Sequence, residues 1–179
     1  DILLPEPSHP WVILFSSLFT ADFYRLVRRY LNPVFLLVQW FQMYEIDAIL
    51  VASGRTDMSD NFPDSAIYAA TGSDLLIVAG DPQTLSRPLA DVMTMPGVAR
   101  ELRRIHTNSV WELELRRIGG KRLLAPMFRS YEVPANSDFY PYLDLHAAKQ
   151  RFLQGSAEEL TGLLTYSIPA AAMLDGRTG

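Results

Sequence analysis

Residues 1–38, DILLPEPSHPWVILFSSLFTADFYRLVRRYLNPVFLLV, decide the fold. The apolar start, Ile2 to Leu4, breaks at once into Pro5-Glu6-Pro7-Ser8-His9-Pro10-Trp11. Proline lacks a backbone donor and fixes its own φ, so neither a strand nor a helix continues through this segment. A buried strand therefore ends in a rigid, polar loop. Thr20 is placed as an N-cap, and Asp22 sits at the positive end of the helix that follows. Phe23, Leu26, Val27, Tyr30 and Leu31 recur at helical spacing with Arg25, Arg28 and Arg29 on the other side. Asn32-Pro33 stops that helix. Val34 to Val38 is a continuous apolar run, the pattern of a strand buried on both faces in a parallel sheet. Strand, helix and strand with short connections make a right-handed βαβ unit.

Working outward, Gln39-Trp40-Phe41-Gln42-Met43-Tyr44 leaves the second strand at its carboxyl end. Asp47 caps a helix expected to reach about Phe62, although Gly54 and the polar residues 55–61 weaken its second half. Ser65 to Ala70 and Leu75 to Ala79 flank Thr71-Gly72-Ser73-Asp74 and read as an antiparallel hairpin. Helical patterns follow over about 87–93, 97–105 and 109–118, the last ended by Gly119-Gly120. Pro126 interrupts the pattern of 121–128. Tyr140 to Leu145 alternates weakly, as a short last strand would. Helices are expected at about 147–154 and 157–164, with a frayed tail over 173–179.

The totals fit one ordinary globular domain: 179 residues, 49% apolar and 20% charged. The net charge of −4 argues against nucleic acid as a partner. It hides an asymmetry, because residues 100–122 carry seven Lys/Arg against three Glu, which leaves the remainder at −8. A solvated helical face accounts for that run. There is no cysteine, which removes disulfides, thiolate metal sites and a cysteine nucleophile together. A reducing, cytoplasmic compartment is the matching expectation. No apolar run reaches the roughly 18 residues of a membrane span, and no signal-peptide pattern opens the chain.

In open α/β sheets, ligands sit outside the carboxyl ends of the strands. Glu6 and His9, three apart on the proline-rich loop, are therefore the first candidates for chemistry. Gln39 and Tyr44 leave the next strand at the same edge. Gln39 either faces a ligand or satisfies loop backbone, and Trp11 and Tyr44 either wall a pocket or belong to the core. His106 and His146 are isolated, no histidine pair has metal spacing, and Ser16, Ser17 and His9 lack the elbow of a nucleophilic triad.

Three blocks, EPSHPW, SLFTADFYRLVRRYL and VFLLVQWFQMY, resemble the polyamine aminopropyltransferases, and more closely the spermidine synthase-like domains of bacteria. Asn136-Ser137-Asp138-Phe139-Tyr140-Pro141-Tyr142-Leu143-Asp144 is similar to a segment near the end of the same domains. The resemblance covers about residues 1–150, with 151–179 as a helical extension and tail. It implies a partial methyltransferase-type Rossmann fold, a parallel βαβ unit plus an antiparallel hairpin, with helical carboxyl-terminal additions. Residue 1 would fall at that fold's fourth strand. The glycine-rich loop and the ribose-binding acid of the family lie upstream of that strand, and no G-x-G-x-x-G occurs in this sequence.

The family transfers an aminopropyl group from decarboxylated adenosylmethionine to an amine. A carboxylate there takes the ammonium proton and holds the cation. Glu6 and His9 stand where the family has Asp-x-x-Asp. Glu6 keeps the carboxylate with a longer reach, whereas His9, mostly neutral near pH 7, is a weaker anchor for a diamine. By the same resemblance Gln39, Tyr44 and Trp11 would border the substrate, with Pro7 and Ser8 beside the nucleoside. Ile13-Leu14 replaces the small, glycine-containing pair usual there. The expected reading is the carboxyl-terminal part of such a protein, inactive alone, with no cofactor bound by this chain. Its partners would be a small amine and a nucleoside, adenosylmethionine or its decarboxylated form, in a parent that is soluble or membrane-tethered. The bare edge of the first strand is expected to recruit a second copy or the missing half-domain. A non-catalytic interaction module and a methyltransferase are the alternatives.

Overall fold

The computed structural model describes residues 2–5, 16–43, 47–70, 73–85, 92–153, 156–157 and 159–162. It begins with β1 (Ile2–Leu3) and, after a 3-10 turn at Ser16–Phe19, enters α1 (Ala21–Tyr30). Thr20 caps α1 as its position predicts: the Thr20 hydroxyl accepts from the Phe23 amide at 3.1 Å. The strand β2 (Leu36–Gln42) leads to α2 (Ala48–Asn61), whose N-cap is Asp47, its carboxylate accepting from the Leu50 amide at 2.9 Å. Gly54 does not break α2.

β3 (Asp64–Ala69) and β4 (Asp74–Gly80) form the expected antiparallel hairpin. A short α3 (Pro82–Leu85), a 3-10 turn at Val92–Thr94, α4 (Pro96–Arg104) and α5 (Val110–Glu114) follow. The remaining elements are β5 (Arg117–Gly120), α6 (Lys121–Arg129), α7 (Tyr142–Phe152) and α8 (Glu159–Gly162). The protein is thus α/β, with one mixed five-stranded sheet in the order β1-β2-β4-β3-β5. β1 and β2 are parallel, with Ile2 opposite Leu36, and every other pairing is antiparallel. β3 therefore runs in the direction of β2, and β4 returns between them.

The core lies where α1, α2, α6 and α7 meet the sheet. Phe19, Tyr24, Phe41, Phe62, Phe128 and Leu143 are buried there. Lys121 joins the layers through its charge: its ammonium donates to the Ser59 carbonyl at 2.6 Å and to the Phe62 carbonyl at 2.8 Å. That places a cation on the negative, carboxyl end of α2. Among the described residues no helix is long and apolar enough to cross a membrane.

The structure corrects several local expectations. On α1 the buried residues are Tyr24 and Val27, while Leu26 and Tyr30 are exposed. Tyr24 is drawn inward by a hydrogen-bond partner. β2 runs on to Gln42 because β4 pairs with it as far as Asp74, so Gln39 lies within the strand and not after it. β2 buries one face fully and the other in part, since its second neighbour is antiparallel. Ile118 and Gly119-Gly120 form β5 against β3, so the glycines do not end a helix. A Cβ on Gly119 would stand 2.9 Å from a Leu123 methyl, so a larger residue there would push the Leu123 side chain aside. Pro126 sits inside α6. Of the alternating run 140–145, residues 142–145 are the first turn of helix α7, not a strand. Ala157 and Leu160 are buried in the same core.

Candidate functional site

β1 and β2 are parallel, so their carboxyl ends open on one edge of the sheet. Glu6, Pro7, Ser8, His9, Trp11 and Tyr44, six of the seven residues expected to build a site there, lie outside the described residues. Gln39 is described, together with residues 16–22, the end of β2, and 136–143.

Gln39 is fully buried. Its Oε1 accepts from the Tyr24 hydroxyl at 2.8 Å, and its Nε2 donates to the Leu18 carbonyl at 3.1 Å. A primary amide carries two donors and two acceptor lone pairs, so one of each is committed to these bonds. The residue that the sequence marks for a ligand thus also holds the chain segment leaving the proline-rich loop. Tyr24 carries no such mark in the sequence; its place between Phe23 and Arg25 on an amphipathic helix reads as ordinary surface or core.

Asn136 does the same work from the opposite side. Its Nδ2 donates to the carbonyls of Ser16, at 3.3 Å, and Phe19, at 3.0 Å, while its Oδ1 accepts from the Leu143 amide at 3.1 Å. Its own carbonyl accepts from the Ala21 amide at 2.9 Å. Two residues on, the Asp138 amide donates to the Asp22 carboxylate at 3.1 Å, and that carboxylate also holds Arg25 at 2.8 Å. Ser137 makes the local turn, its hydroxyl accepting from the Tyr140 amide at 3.0 Å. The Asn-Ser-Asp segment and the Leu-Phe-Thr segment are therefore one piece of structure.

At the end of β2, Met43 is fully buried and clamped by backbone bonds, donating to the Ser73 carbonyl and accepting from the Ala157 amide, both at 2.8 Å. Beyond it, Asp47 accepts from the Gln150 amide group at 2.6 Å in addition to capping α2. The Tyr142 and His146 rings stack with centroids 4.1 Å apart. His146 Nδ1 lies 2.9 Å from the Tyr142 carbonyl, so Nδ1 carries the proton and donates. Burial first, and then the negative charge of Asp47 and the neighbouring Tyr140, push the Tyr142 hydroxyl above its ordinary value. The isolated look of His146 in sequence hid this pairing, because its partner lies one helical turn back on a segment that alternates like a strand.

Among the described residues no group of His, Asp and Glu is arranged to hold a metal ion. No family model, curated protein or solved structure matches the chain.

Proposed function

We propose that this chain is the carboxyl-terminal part of a spermidine synthase-like protein whose sheet is a partial methyltransferase-type Rossmann fold. The observation that carries the reading is the corner just described. The two sequence blocks that resemble the family, more than a hundred residues apart, are bonded to each other through Asn136 and Asp138. The first block is also tied to β2, through the Leu18 carbonyl on Gln39 and the Phe19 ring 4.8 Å from that of Phe41, and β2 is one of a parallel pair of the kind whose carboxyl ends receive ligands in open α/β sheets. The parallel unit followed by an antiparallel hairpin in one sheet is further support.

In the parent, the acceptor amine attacks the aminopropyl carbon beside the sulfonium of decarboxylated adenosylmethionine. The new carbon–nitrogen bond forms as the carbon–sulfur bond breaks, methylthioadenosine leaves, and Glu6 takes the ammonium proton. His9, Trp11 and Tyr44 border the acceptor, with Pro7 and Ser8 toward the nucleoside. Gln39 serves as a positioning residue through Leu18. The chain itself carries no glycine-rich cradle, so alone it neither binds the nucleoside tightly nor transfers the group.

A partner strand belongs to the same reading. Ile2 and Leu4 at the β1 edge and Val34 beside it are exposed apolar side chains. They are covered by the nucleoside-binding half in the parent, or by a second copy when the chain is alone. Calorimetry of the chain with methylthioadenosine tests the incomplete site: no heat is expected, and a micromolar complex would refute it. In the parent, Glu6→Gln is expected to abolish transfer. Unchanged transfer would remove Glu6 as the base.

The second reading, a non-catalytic interaction module, is favoured by the internal bonds of Gln39. A parent that binds neither decarboxylated adenosylmethionine nor adenosylmethionine would decide for it. Methyl transfer from adenosylmethionine without aminopropyl transfer would make the parent a methyltransferase instead.

A further inference from the structure

Tyr142, His146 and Gln150 follow one another on α7 at spacings of four, so they lie on one side of that helix. All three are half-buried, and so is Asp47 at the start of α2. Gln150 bonds Asp47 at 2.6 Å, and the Tyr142 hydroxyl lies close enough to feel the charge of that carboxylate. Asp47 follows the end of β2, on the side of an open α/β sheet where ligands sit. The bonds that hold these groups leave acceptors over. A carboxylate has about four lone-pair sites, and Asp47 gives one to the Leu50 amide and one to Gln150 Nε2. Gln150 donates with that nitrogen, so its Oε1 is left to accept. His146 spends its Nδ1 proton on the Tyr142 carbonyl, so its Nε2 carries a lone pair. None of the described residues donates to Gln150 Oε1 or to His146 Nε2. The stack on Tyr142, 24° between ring planes, and the Nδ1 bond together fix the direction in which the imidazole points.

We propose that Asp47, His146 and Gln150 bind a primary ammonium group. The uncommitted positions of the cluster are a carboxylate oxygen, an amide oxygen and an imidazole nitrogen, all acceptors. An alkylammonium brings three N–H donors and the charge opposite to that of Asp47. An anion would face the Asp47 carboxylate, and a hydroxyl offers one donor for three acceptors. Tyr140 and Tyr142, with ring centroids 6.3 Å apart, add aromatic faces that favour a cation. Lys149, the nearest cation on α7, is exposed and among the described residues forms no ion pair with Asp47. The role of the site rests on the reading given under Proposed function: the ammonium is the end of the acceptor that does not react. Asp47 then supplies the fixed negative charge that His9, mostly neutral near pH 7, lacks.

The test is titration of the full chain with butylammonium at neutral pH, followed through the ring signals of His146 and Tyr142 by nuclear magnetic resonance. Butyltrimethylammonium is the comparison, because it keeps the charge and has no N–H donor. Butylammonium is expected to shift His146 Nε2 saturably, and the trimethyl compound to bind on the order of tenfold more weakly. Asp47→Asn removes the charge and keeps a good helix cap. His146→Phe keeps a ring against Tyr142 and removes Nε2. Each variant is expected to weaken butylammonium on the order of tenfold, and far-ultraviolet circular dichroism checks that both fold. The site is overturned by the absence of a saturable shift, by equal binding of the two cations, or by either folded variant binding as well as the unaltered chain. Neither nucleoside nor group transfer enters this measurement. Butylammonium bound here, in a parent that transfers no aminopropyl group, would uphold the site and remove only its role as the acceptor's anchor.

Discussion

At the corner where residues 16–20 meet 136–143, Gln39 and Asn136 are wholly buried, and their amides make five hydrogen bonds inside the protein. On α4, by contrast, Met95, Val98 and Ile105 are half in solvent, beside Arg100 and Arg104, which pair with the exposed Glu101. Residue type alone would assign the two regions the other way round. Burial of a polar group costs little when each bond lost to water is replaced, and much when one is not. The corner satisfies that condition with side chains that each serve two or more partners. The arm buries Ala99 and half-buries Leu102, but leaves Met95, Val98 and Ile105 about half exposed. One region therefore belongs to the fold, and the other is available to something outside it.

The largest effect that would break this contrast is expected at Asn136. Asn136→Ala strands two buried carbonyls and the Leu143 amide, and should cost about 3–5 kcal/mol in urea unfolding. Arg100→Ala, which removes an exposed ion pair on the arm, should stay within about 0.5 kcal/mol. Comparable losses at the two sites would mean that the arm is as integral as the corner. Gln39 sharpens the point through a cycle with Tyr24. Gln39→Leu should cost about 2 kcal/mol and Tyr24→Phe about 1 kcal/mol, with the double variant falling short of their sum by about 1 kcal/mol. Strict additivity would show that the 2.8 Å bond between them carries no net stability.

The same contrast explains what could be read before the structure. The caps at Thr20 and Asp47, the two helices they start and the hairpin of β3 and β4 were legible, because each is fixed by residues within one turn or one loop. The end of β2, the strand at Ile118 to Gly120 and the helix at 142–152 were not. Each depends on a neighbour distant in sequence: β4 for Gln39 to Gln42, β3 for the glycines, and Asn136 for the Leu143 amide. Of the candidate site, the edge of the sheet was legible from the proline-rich loop and the apolar runs. That Gln39 is tied to Tyr24 and Leu18 was not, since nothing in an amphipathic pattern distinguishes a tyrosine facing a strand amide from one facing solvent.

On the arm, backbone geometry and not packing should set the stability. His106 ends α4 at φ 58°, with its amide donating to the Arg103 carbonyl and the Thr107 amide to the Leu102 carbonyl. This is the helix-ending arrangement that glycine occupies without strain. His106→Gly should raise stability by about 0.5–1 kcal/mol. A loss would mean that the imidazole makes a contact the backbone does not reveal, and that the arm is better packed than its exposed side chains indicate.

The smallest effect is expected at Tyr142, where the corner passes into α7. Its hydroxyl titrates above the ordinary 10.0, chiefly because of burial and then because Asp47 and Tyr140 disfavour a second negative charge. A folded-state value raised above the unfolded one means that the native state holds the proton longer. The contribution to stability is then complete below the ordinary value and falls away as the pH rises toward the folded-state value. Urea midpoints for the unaltered chain should accordingly fall between about pH 9 and about pH 11, by more than they fall in Tyr142→Phe. The phenylalanine keeps the ring against His146 and removes only the proton. Asp47→Asn provides the check, because burial ranks above the carboxylate among the causes: it should reduce the fall only in part, even allowing for a weaker α2 cap. If Asp47→Asn removed the whole slope, the carboxylate and not burial would govern Tyr142, and the start of α7 would behave as a charged surface, as the arm does, and not as part of the satisfied corner.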